Sequence, residues 1–165
     1  MPACPRGGRW ASGERALPDR AARCLIAPCA AALMRTVSKL YAGRALAVSA
    51  AVAPDLAARA RSEDLEEILG NLLDNACKWA RTKVVLTVAV EGSLLVLTVE
   101  DDGPGLPASL KSVVLERGVR VDEAAPGSGL GLSIMRDLTE HYGGSIVLGD
   151  SALGGLCARL TLPAV

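Results

Sequence analysis

A leucine stripe on one helix limits what this chain can fold into. After Ser62, a good N-cap residue, Glu63 and Asp64 put negative charge in a first turn. Leu65, Leu69, Leu72, Leu73, Ala76 and Ala80 then recur at helical spacing, which predicts a helix from Glu63 to about Ala80. Such a stripe has to be covered, and the next residues supply a cover. Val84–Val90 and Leu94–Val99 are β-rich runs joined by Glu91-Gly92-Ser93, which is hairpin chemistry.

The remaining segments fill in a two-layer plan. Ala45–Val52 reads as a strand ended by Pro54, and Leu56–Arg61 as a second, short one. Residues 107–128 look irregular, with a short helix near Ala108–Val114. Gly129–Tyr142 reads as a helix stopped by Gly143-Gly144. Ser145–Leu148 and Leu156–Leu162 form a last strand pair around Gly154-Gly155. There is no internal repeat. The expected class is α+β: a two-layer sandwich whose mixed, mostly antiparallel sheet carries helices on one face.

At 165 residues one domain is expected, burying roughly 70% of its unfolded surface. Phe is absent, so the core is left to Leu, Val, Ile and Ala. A net charge of zero gives no general electrostatic case for nucleic acid or an anionic membrane. The five cysteines (Cys4, Cys24, Cys29, Cys77, Cys157) are scattered and include no CxxC pair, so they read as small or incidental thiols in a reducing compartment. Residues 1–22 mix Pro, Gly and Arg without periodicity, and a disordered or atypical leader is expected over 1–29, with the domain over 30–165. The apolar run Cys24–Met34, basic on its N-terminal side, has some character of a signal peptide but is too short to span a bilayer. A helix from Ala30 to Tyr41 is the favoured reading.

Polar residues on the long helix form a second stripe. Glu67, Asn71, Asn75 and Lys78 are four, four and three residues apart, roughly opposite the leucines. A solvated face is the ordinary alternative. Two asparagines inside one helix need a reason, because their side chains compete for backbone hydrogen bonds. Their neutral carbonyl oxygens can complete the shell of a magnesium ion that already faces phosphates. Lys78 can meet a phosphate as a point charge.

Two glycine-rich segments follow. In Asp101-Asp102-Gly103-Pro104-Gly105 a carboxylate at a strand end can accept from an exocyclic amine, while glycines let a ligand approach the backbone. Taken alone, this is also a common Asp-Gly turn. Gly127-Ser128-Gly129-Leu130-Gly131 opens a helix, where free N–H groups suit an anion. It is neither a dinucleotide fingerprint nor a Walker A loop. Lys111, Arg117 and Arg120 lie in the irregular stretch between them and could close on phosphates.

Together these segments resemble the GHKL, or Bergerat-fold, ATPase superfamily. Asn71-Leu72-Leu73-Asp74-Asn75-Ala76 is similar to its asparagine box, and the two glycine segments are similar to its glycine boxes. Within it the resemblance is to the ATP-binding catalytic domain of bacterial sensor histidine kinases, over roughly residues 37–163. Lys78-Trp79 and Arg117-Gly118-Val119-Arg120 look most like the PhoQ-type subgroup.

The resemblance implies ATP and Mg2+ as cofactors. It implies Asn71 and Asn75 as metal ligands, Lys78 as a phosphate contact, and Asp101, Gly103 and Gly105 as the adenine pocket. Arg117, Arg120, Gly127, Gly129, Leu130 and Gly131 would bind the nucleotide, and Ala108–Ser128 would be a lid. The implied partners are a histidine phosphoacceptor domain absent from this chain and, indirectly, a response regulator. The implied location is cytoplasmic, as part of a membrane sensor, with no membrane contact by the domain and a monomeric state. Leu115 stands where the family usually has phenylalanine. The one histidine, His141, lies outside every box and reads as a residue favoured by a helix C-terminus. The alternatives are a regulatory nucleotide-binding module without phosphotransfer, or another branch such as an anti-sigma serine kinase.

Overall fold

Alternation of buried with more exposed side chains along the central strands builds the sheet. The computed structural model describes residues 22–116 and 131–165. Its elements are β1 (Cys24–Leu25), α1 (Ile26–Leu40), β2 (Ala47–Ala51), β3 (Ala57–Ala58), α2 (Ser62–Trp79), β4 (Lys83–Glu91), β5 (Leu94–Asp101), α3 (Ala108–Lys111), a 3-10 turn (Val113–Leu115), α4 (Gly131–His141), β6 (Ser145–Asp150) and β7 (Leu156–Pro163). The five-stranded sheet runs β2-β4-β5-β7-β6, and β1 pairs with β3 apart from it. Only β2–β4 is parallel; the other three pairings of the large sheet are antiparallel.

On the inner face Val84, Leu86, Val88, Leu95, Leu97, Val99, Leu160 and Leu162 are buried. They meet Leu65, Leu69, Leu72, Leu73 and Ala76 of α2 in one core. α1, α2 and α4 pack side by side over that face. The two-layer α+β reading therefore holds, with the core of aliphatic side chains that the lack of Phe required. The β4–β5 register pairs Glu91 with Leu94, leaving Gly92-Ser93 as a two-residue hairpin loop with Gly92 at φ +62°.

Two helix starts differ from the sequence expectation. α1 begins at Ile26 rather than Ala30. Pro28 falls in its first turn, where its missing N–H costs nothing. Ile26 and Cys29 are buried, and the Ile26 N–H donates to the Leu56 carbonyl at 2.9 Å, so these residues belong to the folded unit. In α2 the N-cap is Arg61, not Ser62, and no side chain caps it. The Tyr142 hydroxyl takes the capping role from a distance, accepting the Arg61 N–H at 3.3 Å and donating to the Asp64 carboxylate.

The far end of α2 is held by a residue with no local sequence signal. Arg44 Nη1 donates to the carbonyls of Cys77 (2.6 Å) and Lys78 (3.2 Å), and Nη2 to that of Ala80. A fixed cation there satisfies carbonyls that a helix end leaves open and opposes the negative end of the dipole. Cys29 and Cys77 are buried, and burial pushes their thiols up to about 12 and about 11, which makes them inert packing groups. Cys24 and Cys157 are half-buried free thiols, and Cys4 lies outside the described residues.

Arg44→Ala is expected to lower unfolding stability by about 1 kcal/mol. A shifted urea midpoint with an unchanged slope would show it.

Candidate nucleotide site

The last residue of β5 turns a carboxylate into the protein. Asp101 is buried, in register with the inner-face residue Val84. Its Oδ1 accepts the N–H of Gly103 at 2.8 Å and that of Leu156 at 3.2 Å. Among the described residues Oδ2 has no protein partner. Burial raises the Asp101 carboxyl above its ordinary value, and the two N–H bonds oppose that rise.

The neighbouring carboxylate behaves oppositely. Asp102 Oδ1 accepts the N–H groups of Arg81, Thr82 and Lys83 at 2.8–3.1 Å, and Oδ2 accepts the Thr82 hydroxyl. The Thr82 hydroxyl, then these N–H groups, hold its carboxyl well below the usual range. Asp102 ties the start of β4 to the glycine turn, whereas Asp101 uses one oxygen for both of its N–H bonds.

Close backbone contact surrounds Asp101. A Cβ on Gly103 would run into the Trp79 carbonyl and Asp101 Oδ1. One on Gly155 would run into Asp101 Oδ1 and the Gly103 nitrogen. Gly155 also donates its N–H to the Asp101 carbonyl at 3.1 Å. The last turn of α2, the first glycine turn and the β6–β7 turn thus meet at one carboxylate. Gly155 and the Leu156 N–H were not among the sequence-derived site residues. The only signal was register: Glu100 pairs with Cys157, which puts Leu156 across from Asp101.

The polar stripe of α2 lies beside the start of α4. Asn71 Nδ2 donates back to the Glu67 carbonyl at 2.8 Å, the competition with the helix that its type predicts. A Cβ on Gly131 would sit 2.8 Å from Asn71 Oδ1, so the first residue of α4 rests on that amide. The side chain of Asn75 has no hydrogen-bond partner among the described residues. Lys78 Nζ lies 2.9 Å from Asp74 Oδ2, and Asp74 Oδ1 accepts the Tyr41 hydroxyl at 2.6 Å.

The structure therefore brings Asn71 against Gly131, and Asp101, Gly103 and Gly105 against the β6–β7 turn. Lys111 is committed elsewhere: its Nζ pairs with Asp150 at 2.7 Å, fastening α3 to the end of β6. Leu115 is buried in the core. Arg117, Arg120, Gly127, Ser128, Gly129 and Leu130 lie outside the described residues. Among the described residues no three His, Cys, Asp or Glu side chains group as a metal-ligand set. A cation here would depend on amide oxygens and on its own ligand's phosphates. Among the described residues no helix is long and apolar enough to cross a membrane.

Residues 60–165 match the family described as histidine kinase-, DNA gyrase B-, and HSP90-like ATPase. The chain is 50% identical over 125 residues to sensor protein kinase CarS of Pseudomonas aeruginosa, covering 76% of this chain and 28% of CarS. It is 39% identical over 130 residues to sensor protein PhoQ of Escherichia coli, covering 79% of this chain and 27% of PhoQ. The chain thus spans about a quarter of the length of these relatives. Among solved structures, the mycobacterial sensor histidine kinase MprB superposes with a TM-score of 0.74 at 25% identity, over 87% of this chain and 97% of that one. The catalytic domain of histidine kinase ThkA gives 0.78 at 20% identity, over 86% and 94%, a likeness of fold.

Gly155→Ala is expected to cost about 2 kcal/mol or more of stability, because the added methyl would meet the Asp101 carbonyl and the Gly103 nitrogen, backbone atoms that cannot swing aside, as well as the Asp101 carboxylate. A lower Tm checks it. Asp102→Asn tests the acid limb. The depressed folded value of Asp102 gives stability that is present above the unfolded carboxylate pKa and lost as pH falls through the folded one. The variant is expected to be less stable at neutral pH, with a shallower loss toward acid, in melting curves taken across pH.

Proposed function

Because the chain belongs to the histidine kinase-, DNA gyrase B-, and HSP90-like ATPase family, we propose that it is the MgATP-binding catalytic domain of a sensor histidine kinase. Its task is to present the γ-phosphate to a histidine on a separate phosphoacceptor domain, from which a response regulator is served. The observation that carries this reading is Asp101: a buried carboxylate with Oδ1 locked by two N–H groups and Oδ2 without a protein partner among the described residues.

Oδ2 accepts the exocyclic amine of adenine. In a buried setting that bond discriminates strongly, since a base lacking the amine leaves a carboxylate oxygen unpaired. Gly103 and Gly105 let the base approach the backbone. Asn75 and Asn71 offer amide oxygens to a magnesium ion on the phosphates, and the Asn75 side chain, without a hydrogen-bond partner among the described residues, fits that use. Bound there, magnesium supplies neutralisation of phosphate charge. Lys78 donates to a phosphate oxygen, and Arg117, Arg120 and the second glycine box with Gly127, Gly129, Leu130 and Gly131 complete the cradle. The protein's work is positioning and charge compensation, as expected for phosphoryl transfer.

His141 is unsuited to be the acceptor. It sits on the last turn of α4 with its ring edge against Tyr142, centroids 5.4 Å apart. We assign the domain to the cytoplasmic side of a membrane sensor. A regulatory module that binds nucleotide without transferring phosphate is the second reading. It is favoured by the burial of Leu115 at the place of the family's usual lid phenylalanine. Mixing the domain with a separately prepared phosphoacceptor domain separates the two, because formation of phosphohistidine excludes the regulatory reading.

Titration calorimetry with a non-hydrolysable ATP analogue should show binding that strengthens with magnesium. Asn75→Ala and Asp101→Asn should each weaken it by about tenfold or more. Unchanged affinity in both folded variants would sink the residue assignment. Asp101→Asn should not lose much stability: a raised folded pKa means the buried charge opposes folding at neutral pH, and the amide oxygen can still accept both N–H groups.

A further inference from the structure

Tyr41, the C-cap of α1, and Asp74 of α2 form a chain of contacts leading to Lys78, and the roles assigned above leave Tyr41 and Asp74 unused. Asp74 precedes Asn75 on α2 and borders the polar stripe. The Tyr41 hydroxyl donates to its Oδ1 at 2.6 Å, and Oδ2 lies 2.9 Å from the Lys78 ammonium. Tyr41 is itself anchored, since its N–H closes α1 on the Val37 carbonyl at 2.9 Å. Both carboxylate oxygens of Asp74 are therefore occupied by donors.

We infer that Tyr41 and Asp74 are positioning residues that hold the Lys78 ammonium toward the triphosphate before nucleotide arrives. The inference rests on the nucleotide-binding reading given above and adds two residues to it. An ammonium has three N–H donors and Asp74 uses one, so two remain for phosphate oxygens. A free lysine stem loses much rotamer freedom when its head is bound; here that freedom is already restricted in the empty protein. Asp74 alone would repel phosphate, but its charge is compensated by Lys78 and oriented by Tyr41. Burial, and then the bond to Asp74, raise the Tyr41 phenol, so it stays a donor at physiological pH.

The pair is partly open, with side-chain exposures of 32% for Lys78 and 36% for Asp74, so the expected effects are modest. Calorimetry on the whole chain with magnesium would compare a non-hydrolysable ATP analogue with adenosine. The set is wild type, Tyr41→Phe, Asp74→Asn, Lys78→Met and the double variant Asp74→Asn/Lys78→Met. Asp74→Asn and Tyr41→Phe should weaken the triphosphate roughly threefold to fivefold and leave adenosine unchanged. In the Lys78→Met background, Asp74→Asn should add nothing.

The inference is overturned if Asp74→Asn leaves ATP binding unchanged. It is overturned equally if that variant tightens binding, which would make Asp74 a sequestering group, or if it weakens ATP and adenosine alike, which would make it structural. Tyr41→Phe decides the matter should Asp74→Asn not fold. A wild type that binds no triphosphate, or a Lys78→Met variant that binds as wild type does, would remove the reading of Lys78 itself and the inference with it. Normal loss in Lys78→Met beside an inert Asp74→Asn would remove the inference alone.

Discussion

The seat of α2 on the sheet is the constraint on which the rest depends. Leu65, Leu69, Leu72 and Leu73 are at most 2% exposed against the inner strand residues. Burying them fixes the rotation of the helix, and that rotation turns the stripe of Asn71, Asn75 and Lys78 away from the leucines and sets Asn71 against Gly131 of α4. Each buried leucine is worth roughly 1.5–3 kcal/mol relative to exposure. The orientation of the polar stripe is therefore enforced by hydrophobic burial and needs no contribution from the polar groups.

Fixing α2 also fixes what touches its ends. Tyr142, the residue after α4, bridges the N-terminal turn through Arg61 and Asp64. Arg44 collects carbonyls at the C-terminal turn. Beyond that turn the Trp79 carbonyl presses on Gly103, and Gly103 in turn donates to Asp101. Contacts thus run from the leucine stripe through the end of α2 and the glycine turn to one carboxylate.

Asp101 and Asp102 show how far neighbours in sequence can diverge in chemistry. Alternation on β5 sends Asp101 to the buried face, and the chain leaving the strand hands Asp102 to the N–H groups of residues 81–83. One carboxyl is raised by burial and the other lowered by hydrogen bonds. Among the described residues the raised carboxyl also has the fewer hydrogen bonds, an environment that suits the ligand-binding role proposed for Asp101.

Local patterns determined the elements and their faces. The leucine period, the Gly92-Ser93 hairpin and the alternation along β4 and β5 were legible because helix and strand periodicity are properties of consecutive residues. The asparagines, Lys78, Asp101 and the glycine pairs could be singled out for the same reason: each is unusual for its local setting. The starts of α1 and α2 were misread because a proline inside the first turn and a cap supplied from Tyr142 depend on distant chain. Arg44, Tyr41 and Gly155 were invisible as partners, lying 33, 33 and 54 residues from the groups they contact at Cys77, Asp74 and Asp101. Sequence alone determined which residue types could bind phosphate, metal and base. Tertiary structure decided how they are held, leaving the Asn75 side chain without a hydrogen-bond partner among the described residues, committing Lys111 to Asp150 and fixing Asp74, the helical neighbour of Lys78, through Tyr41, because contacts between distant segments form only once burial has fixed the helices on the sheet.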